Sequence, residues 1–92
     1  MIGYDRRMDI NAAAEAADRF LQGYTGRGGR RPTEVRSHPS GDDMNAIKIW
    51  VNLGAAADGD DLAAWCTEAE AAVRKAVPGL DAITIDLRAE AM

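Results

Sequence analysis

The chain is poor in the residues from which small proteins build catalytic and metal centres. Its 92 residues include one cysteine and one histidine. A single cysteine excludes an intramolecular disulfide, and a single histidine excludes a metal site with several histidine ligands. The glycine-rich stretch GRGGRR has no Gly-Lys-Ser/Thr, so it is not a phosphate-binding loop. We therefore expect a protein without cofactor, metal or enzymatic activity.

Long apolar runs are also lacking. No segment approaches the ~20 consecutive apolar residues that a membrane-spanning helix needs. The first ten residues, MIGYDRRMDI, have no apolar stretch typical of a signal peptide. With the lone cysteine, these features predict a cytoplasmic protein that does not bind membranes. A length of 92 residues that are 47% hydrophobic predicts one small domain, residues 1–92, with its own core.

What remains is a clear pattern of secondary structure. Apolar residues recur at helical spacing over about residues 10–22, which Asp9 or Asn11 can cap and Gly23 can end. A β-hairpin follows over residues 34–53, with its turn at residues 39–43. A second apolar stripe from Leu62 to Val77 predicts another helix, with acidic residues before it and basic residues at its end. Alternation from Ile83 to Arg88 predicts the last strand.

These elements predict an α+β fold. If residues 1–4 form a strand, the order becomes β-α-β-β-α-β, which is the ferredoxin-like arrangement. We then expect an antiparallel sheet with both helices on one face. The alternative is a three-stranded sheet with a loose N-terminal arm.

The hairpin carries the main functional signal. In its second strand Ile47, Ile49 and Val51 share one face, so Trp50 must lie on the other. We expect that other face to be open, and to carry the following residues: Glu34, Arg36, His38, Lys48, Trp50, Thr84, Asp86 and Arg88. Tryptophan is enriched at the centres of protein interfaces because it supplies large, rigid contact area. Coverage of Trp50 by the chain's own loop or terminus is an equally good reading, and base stacking ranks behind both.

A glycine- and arginine-rich segment, Thr25–Pro32, is the second candidate. It has no periodicity and reads as an exposed, mobile loop. Its arginines Arg27, Arg30 and Arg31, with Arg36, are able to contact phosphates. Gly23 to Gly26 matches the GxxG of nucleic-acid-binding KH domains, but a strand follows where a helix should. A solvated loop is the simpler reading, since the chain as a whole is acidic.

Charge is distributed unevenly along the chain. Residues 1–41 contain seven Lys and Arg against five Asp and Glu, whereas residues 42–92 contain four against ten. The net charge of −4 thus allows a basic patch on an acidic body. Three other polar features have plain explanations. The acidic run at residues 58–61 suits a helix N-terminus, His38 reads as a surface residue, and Cys66 reads as an inert core thiol.

The sequence therefore predicts a non-catalytic protein-interaction module: an adaptor, an inhibitor or a regulatory subunit. Small size and acidic charge would also suit a phage-encoded anti-defence inhibitor. The expected binding residues are Trp50, Lys48, Arg36, His38, Arg27, Arg30 and Arg31. Self-association through the open face is a further expectation. The alternative is a weak nucleic-acid binder that uses the loop at residues 26–31 together with Trp50.

Overall fold

In the described part of the chain, two α-helices and three strands follow one another in the order α-β-β-α-β. The computed structural model describes residues 9–40, 45–55, 59–80 and 82–92. The elements are α1 (Ile10–Gln22), β1 (Glu34–Pro39), β2 (Ala46–Asn52), α2 (Gly59–Ala76) and β3 (Thr84–Glu90). An N-terminal strand at residues 1–4, which the ferredoxin-like arrangement requires, lies outside the described residues, as do most of the predicted turn residues between β1 and β2.

The first helix has the bounds that its sequence predicts. α1 buries Ala13, Ala14, Ala17 and Leu21 along one side. Asp9 occupies the N-cap position, but its side chain makes no capping hydrogen bond, so the predicted capping role is wrong for Asp9. The backbone carbonyl of Asp9 instead accepts a hydrogen bond from the amide of Ala13, and Gly23 is the C-cap residue.

The central strand of the sheet is β2. It pairs with β1 in antiparallel register, with Val35 opposite Val51 and Arg36 opposite Trp50. On its other edge β2 pairs with β3 in parallel register, with Ile47 opposite Ile85. The expected antiparallel sheet is therefore correct for the hairpin and wrong for the second pair of strands. The sheet is mixed, with the order β1-β2-β3.

The parallel pairing has a simple physical cause. A parallel connection needs a crossover that returns the chain to the end of the sheet where the first strand began. α2 contains 18 residues and so is about 27 Å long, which is enough to run back along the seven-residue β2. In the expected ferredoxin-like arrangement, a further strand would lie between the two parallel strands. Here β2 and β3 are hydrogen-bonded directly to each other.

Both helices pack on the same face of the sheet, as predicted. Trp65, Ala69 and Val73 of α2 join the apolar side of α1 and the inner residues of the strands in one cluster. Leu80, in the connection after α2, is also fully buried, although the sequence pattern did not select it. Phe20 is only partly buried at the margin. Neither described helix has the length and apolar character needed to cross a membrane.

The loop between α1 and β1 is packed against the core. The indole nitrogen of Trp65, which is fully buried, donates a hydrogen bond to the carbonyl of Arg30 at 3.1 Å. The amide of Gly26 donates to the same carbonyl at 2.9 Å. Gly28 and Gly29 follow with φ of 71° and 74°, a conformation that favours glycine. The predicted exposure of the loop is correct for Thr25, Gly28, Gly29 and Arg31, but Gly26 and Arg30 are partly buried where the loop covers the edge of Trp65.

Gly26 leaves no room for a side chain. A Cβ at this position would lie 2.6 Å from the Trp65 indole nitrogen and 2.8 Å from a ring carbon of Tyr24. We expect Gly26→Ala to lower the free energy of unfolding by about 1–3 kcal/mol, because it displaces Trp65 from the Arg30 carbonyl. Denaturant unfolding measures this. Gly59→Ala is the matched control, since a Cβ there contacts nothing within 4 Å. Equal stability of the two variants would contradict the packing of the loop.

Candidate interaction surface

Among the residues that the structure describes, two helices cover one face of the sheet and no element covers the other. The covered face carries the inner residues of the strands under the two helices. We use "open face" for the opposite surface, whose residues alternate with the inner ones. It carries Glu34, Arg36 and His38 of β1, Lys48, Trp50 and Asn52 of β2, and Thr84, Asp86, Arg88 and Glu90 of β3. Of the predicted binding residues, Trp50, Lys48, Arg36 and His38 are brought together here.

Trp50 lies at the centre of this face between two arginines. The strand register sets Arg36 opposite Trp50 on one side and Arg88 beside it on the other. We call these three residues the arginine row. The guanidinium carbon of Arg36 lies 5.7 Å from the centroid of the indole ring, which is a cation–π distance. Trp50 itself is partly buried, in contrast to the fully buried Trp65.

Each arginine of the row is paired with a carboxylate on its own strand. Arg36 Nε lies 2.6 Å from a carboxylate oxygen of Glu34, and Arg88 Nε lies 3.2 Å from one of Asp86. The arginine side chains nevertheless remain 72% and 78% exposed. Ion pairs with this exposure are weak and are screened by salt. Both guanidiniums therefore keep donors that face the solvent.

A shallow cleft runs beside Trp50. Its volume is about 230 Å³, and the described residues that line it all belong to the strands. They include His38, Lys48, Asp86 and Arg88. An apolar ring at the centre and hydrogen-bond donors around it suit a partner's side chains better than a small apolar ligand. The arrangement offers recognition chemistry, because it contains cations, an indole and a carboxylate.

His38 and Ser37 point to opposite sides of β1, as strand alternation predicts. His38 is exposed and pairs with Lys48 across the open face, with its Nδ1 lying 3.1 Å from the carbonyl oxygen of Pro39. Ser37 pairs with Ile49, and its hydroxyl oxygen is buried on the helix side. The two side chains cannot act as a nucleophile and a base on one substrate.

The arginines of the loop do not join this surface. Arg30 extends towards α2, where its guanidinium lies 3.7 Å from a carboxylate oxygen of Asp61. The loop contacts α2 on the helix side, whereas Trp50 lies on the opposite side of the sheet. Arg31 is exposed, and the side chain of Arg27 lies outside the described part of the chain. The predicted combination of loop and Trp50 in a single footprint is therefore not formed by the described residues.

Cys66 is less buried than the sequence suggests. It packs against the core from a partly buried position at the margin of α2. Burial raises the pKa of its thiol, the backbone amide of Ala89 opposes that shift, and the charge of Glu70 adds to it. A raised thiol pKa disfavours the reactive thiolate. Within the described ranges, no three His, Cys, Asp or Glu residues come together as metal ligands.

One member of the arginine row was missed by sequence reasoning. Strand alternation assigns Arg88 to the open face, but not its place next to Trp50. That neighbourhood depends on the parallel register between β2 and β3, which comes from the crossover and not from local periodicity. The sequence therefore predicts which face Arg88 occupies and leaves its neighbours undetermined.

No family model, curated protein or solved structure matches this chain.

The two tryptophans should differ sharply in their contribution to stability. Trp65 is fully buried and hydrogen-bonded, so Trp65→Ala should cost ~3–5 kcal/mol and unfold a marginal domain. Trp50→Ala should cost less than about 1.5 kcal/mol, because it removes a partly buried ring and one cation–π contact. Denaturant unfolding of both variants tests this. A loss of several kcal/mol for Trp50→Ala would show that its ring belongs to the core.

Proposed function

We propose that the protein is a non-catalytic protein-interaction module that binds its partner through the open face around Trp50. In this role it acts as an adaptor, an inhibitor or a regulatory subunit. The observation that carries the proposal is the arginine row, in which a central tryptophan lies between two exposed arginines. Tryptophan and arginine are the residue types most enriched among those that dominate binding energy in protein interfaces.

The position of the arginine row in the fold also supports a role in protein binding. The apolar sides of both helices are already used in the core, and Trp50 is a large aromatic residue that the sheet presents on its other side. β2 is held by hydrogen bonds on both edges, so it presents Trp50 from the most constrained strand of the sheet. A rigid anchor loses little conformational entropy when it binds.

Nucleic acid binding is the weaker alternative. Its two predicted elements, the loop and Trp50, lie on opposite sides of the sheet. Arg30 is directed at Asp61, and the acidic and basic residues of the open face balance each other. Affinity for a polyanion depends on an extended set of phosphate contacts, which this distribution of charge does not favour.

Site-specific cross-linking tests the proposal. A photoreactive benzoylphenylalanine replaces Trp50 in one variant and Lys75, an exposed residue at the end of α2, in the control variant. Each is irradiated in a lysate of the cells in which the protein occurs, with and without nuclease. We expect a discrete cross-linked protein from position 50 that survives nuclease and is absent from position 75. Cross-links from position 75 alone, or loss of all cross-links after nuclease treatment, would contradict the proposal.

A further inference from the structure

The charges of the open face are sorted into rows across the strands. The register aligns Glu34 with Asn52 and Glu90 on one side of the arginine row. On the other side it aligns His38 with Lys48 and Asp86. The arginine row carries two positive charges. The row with Glu34 carries two negative charges, and in the third row the charges of Lys48 and Asp86 cancel.

The distance between the two arginines of the row matches the spacing of side chains on one side of an extended peptide. Neighbouring strands lie about 4.8 Å apart, so the Cα atoms of Arg36 and Arg88 are separated by about 10 Å, with Trp50 midway. In an extended peptide, residues two positions before and after a central residue point to the same side and lie about 13 Å apart. Flexible arginine side chains cover the difference of a few ångströms.

We propose that the open face binds an acidic protein segment that crosses the strands along the arginine row. An apolar side chain of the segment packs on Trp50, and a carboxylate on each side of it pairs with Arg36 and Arg88. Planar guanidiniums bind carboxylates through two parallel hydrogen bonds. This inference rests on the proposed protein-binding function and adds the chemistry of the partner.

The neighbouring charges support this occupant and its direction. Glu34 and Glu90 repel carboxylates on their side of the row, which favours a segment that crosses the strands over one that runs along a strand past these glutamates. The pairs that Arg36 and Arg88 make with Glu34 and Asp86 are exposed and monodentate through Nε, which leaves the terminal nitrogens of each guanidinium for the partner. Neither ion pair needs to break before its arginine binds a second carboxylate.

A second copy of the chain that stacks its own Trp50 on this Trp50 fits the open face poorly. Sheets that stack face to face keep their strands within about 30° of alignment. Consider a two-fold axis that is parallel to the sheet plane and passes over Trp50. Whether this axis runs along the strands or across them, it sets the arginine row of one chain against the arginine row of the other. Like charges then meet at the centre of the interface, where they are most costly. A partner with opposite charges does not meet this obstacle.

Two peptides provide the test. The acidic probe is Ser-Glu-Thr-Leu-Thr-Glu-Ser, and the neutral probe has glutamine in place of both glutamates. Binding is followed by 19F NMR of the protein labelled with 5-fluorotryptophan, whose two signals from Trp50 and Trp65 are assigned with Trp50→Phe. We expect the acidic peptide to shift the Trp50 signal and leave the Trp65 signal in place. The neutral peptide should bind at least about tenfold more weakly than the acidic peptide. Added salt should weaken the binding of the acidic peptide.

Matched double variants distinguish the effect of the arginine row on binding from the effect of the protein's overall charge. The double variant Arg36→Gln with Arg88→Gln should lose the preference for the acidic peptide. The control, Arg19→Gln with Lys75→Gln, removes the same charge from exposed positions on the two helices and should keep the preference. Equal loss in both double variants would overturn the inference, because overall charge and not the row would then explain binding.

Other outcomes distinguish this inference from the function on which it rests. Equal binding of both peptides, or no shift of the Trp50 signal at millimolar peptide, would overturn the proposal that the partner is acidic. A nuclease-resistant cross-link from position 50 would then still support the protein-binding function. A ten-residue oligothymidine that binds more tightly than the acidic peptide overturns the inference in favour of nucleic acid. Self-association abolished by Trp50→Ala in sedimentation overturns it in favour of a second copy.

Discussion

The alternation of side chains along β2 is the constraint on which the rest of the structure depends. β2 is the central strand, so hydrogen bonds on both edges fix its register and its orientation. Ile47, Ile49 and Val51 then enter the core, and Trp50 is held on the opposite side. A shift of one residue would expose the three aliphatic side chains and bury Lys48. The core and the open face are therefore specified together by one strand.

The second tryptophan organises the helix side of the sheet. Trp65 is buried between the helices and the loop, and its indole donates to the carbonyl of Arg30. Tyr24 packs edge-on against it, with ring centroids 5.5 Å apart. Gly26 permits this close approach because it has no side chain. The loop thereby covers one edge of Trp65, and the two tryptophans lie on opposite sides of the sheet.

Sequence periodicity predicts the parts of this structure that depend on local geometry. It gives α1 its bounds at Ile10 and Gln22, and it assigns Trp50 to the face opposite Ile49, because helical and strand repeats follow directly from backbone geometry. It does not predict the parallel pairing of β3, since two strands with the same alternation pair in either direction. The position of Arg88 beside Trp50 depends on that pairing, and so the arginine row could not be read from the sequence.

The loop and Leu80 show a second limit of the sequence. A segment rich in glycine and arginine has the composition of a solvated loop, and only the hydrogen bond from Trp65, 35 residues further on, reveals its packing. Leu80 follows the Pro78-Gly79 turn outside any periodic stretch, yet it is fully buried. Arg74 donates hydrogen bonds to the carbonyls of Leu80 and Ile83 and so holds this connection against α2. Long-range contacts of this kind leave no local pattern.

The central claim is that Trp50 faces the solvent side of the sheet while Trp65 lies in the core. Acrylamide quenching of fluorescence in two single-tryptophan variants, Trp65→Phe and Trp50→Phe, tests it most directly. The variant that retains Trp50 should emit at longer wavelength and be quenched several-fold more efficiently than the variant that retains Trp65, whose ring is fully buried. Equal protection of both tryptophans in folded monomeric protein, or stronger quenching of Trp65, would contradict the account.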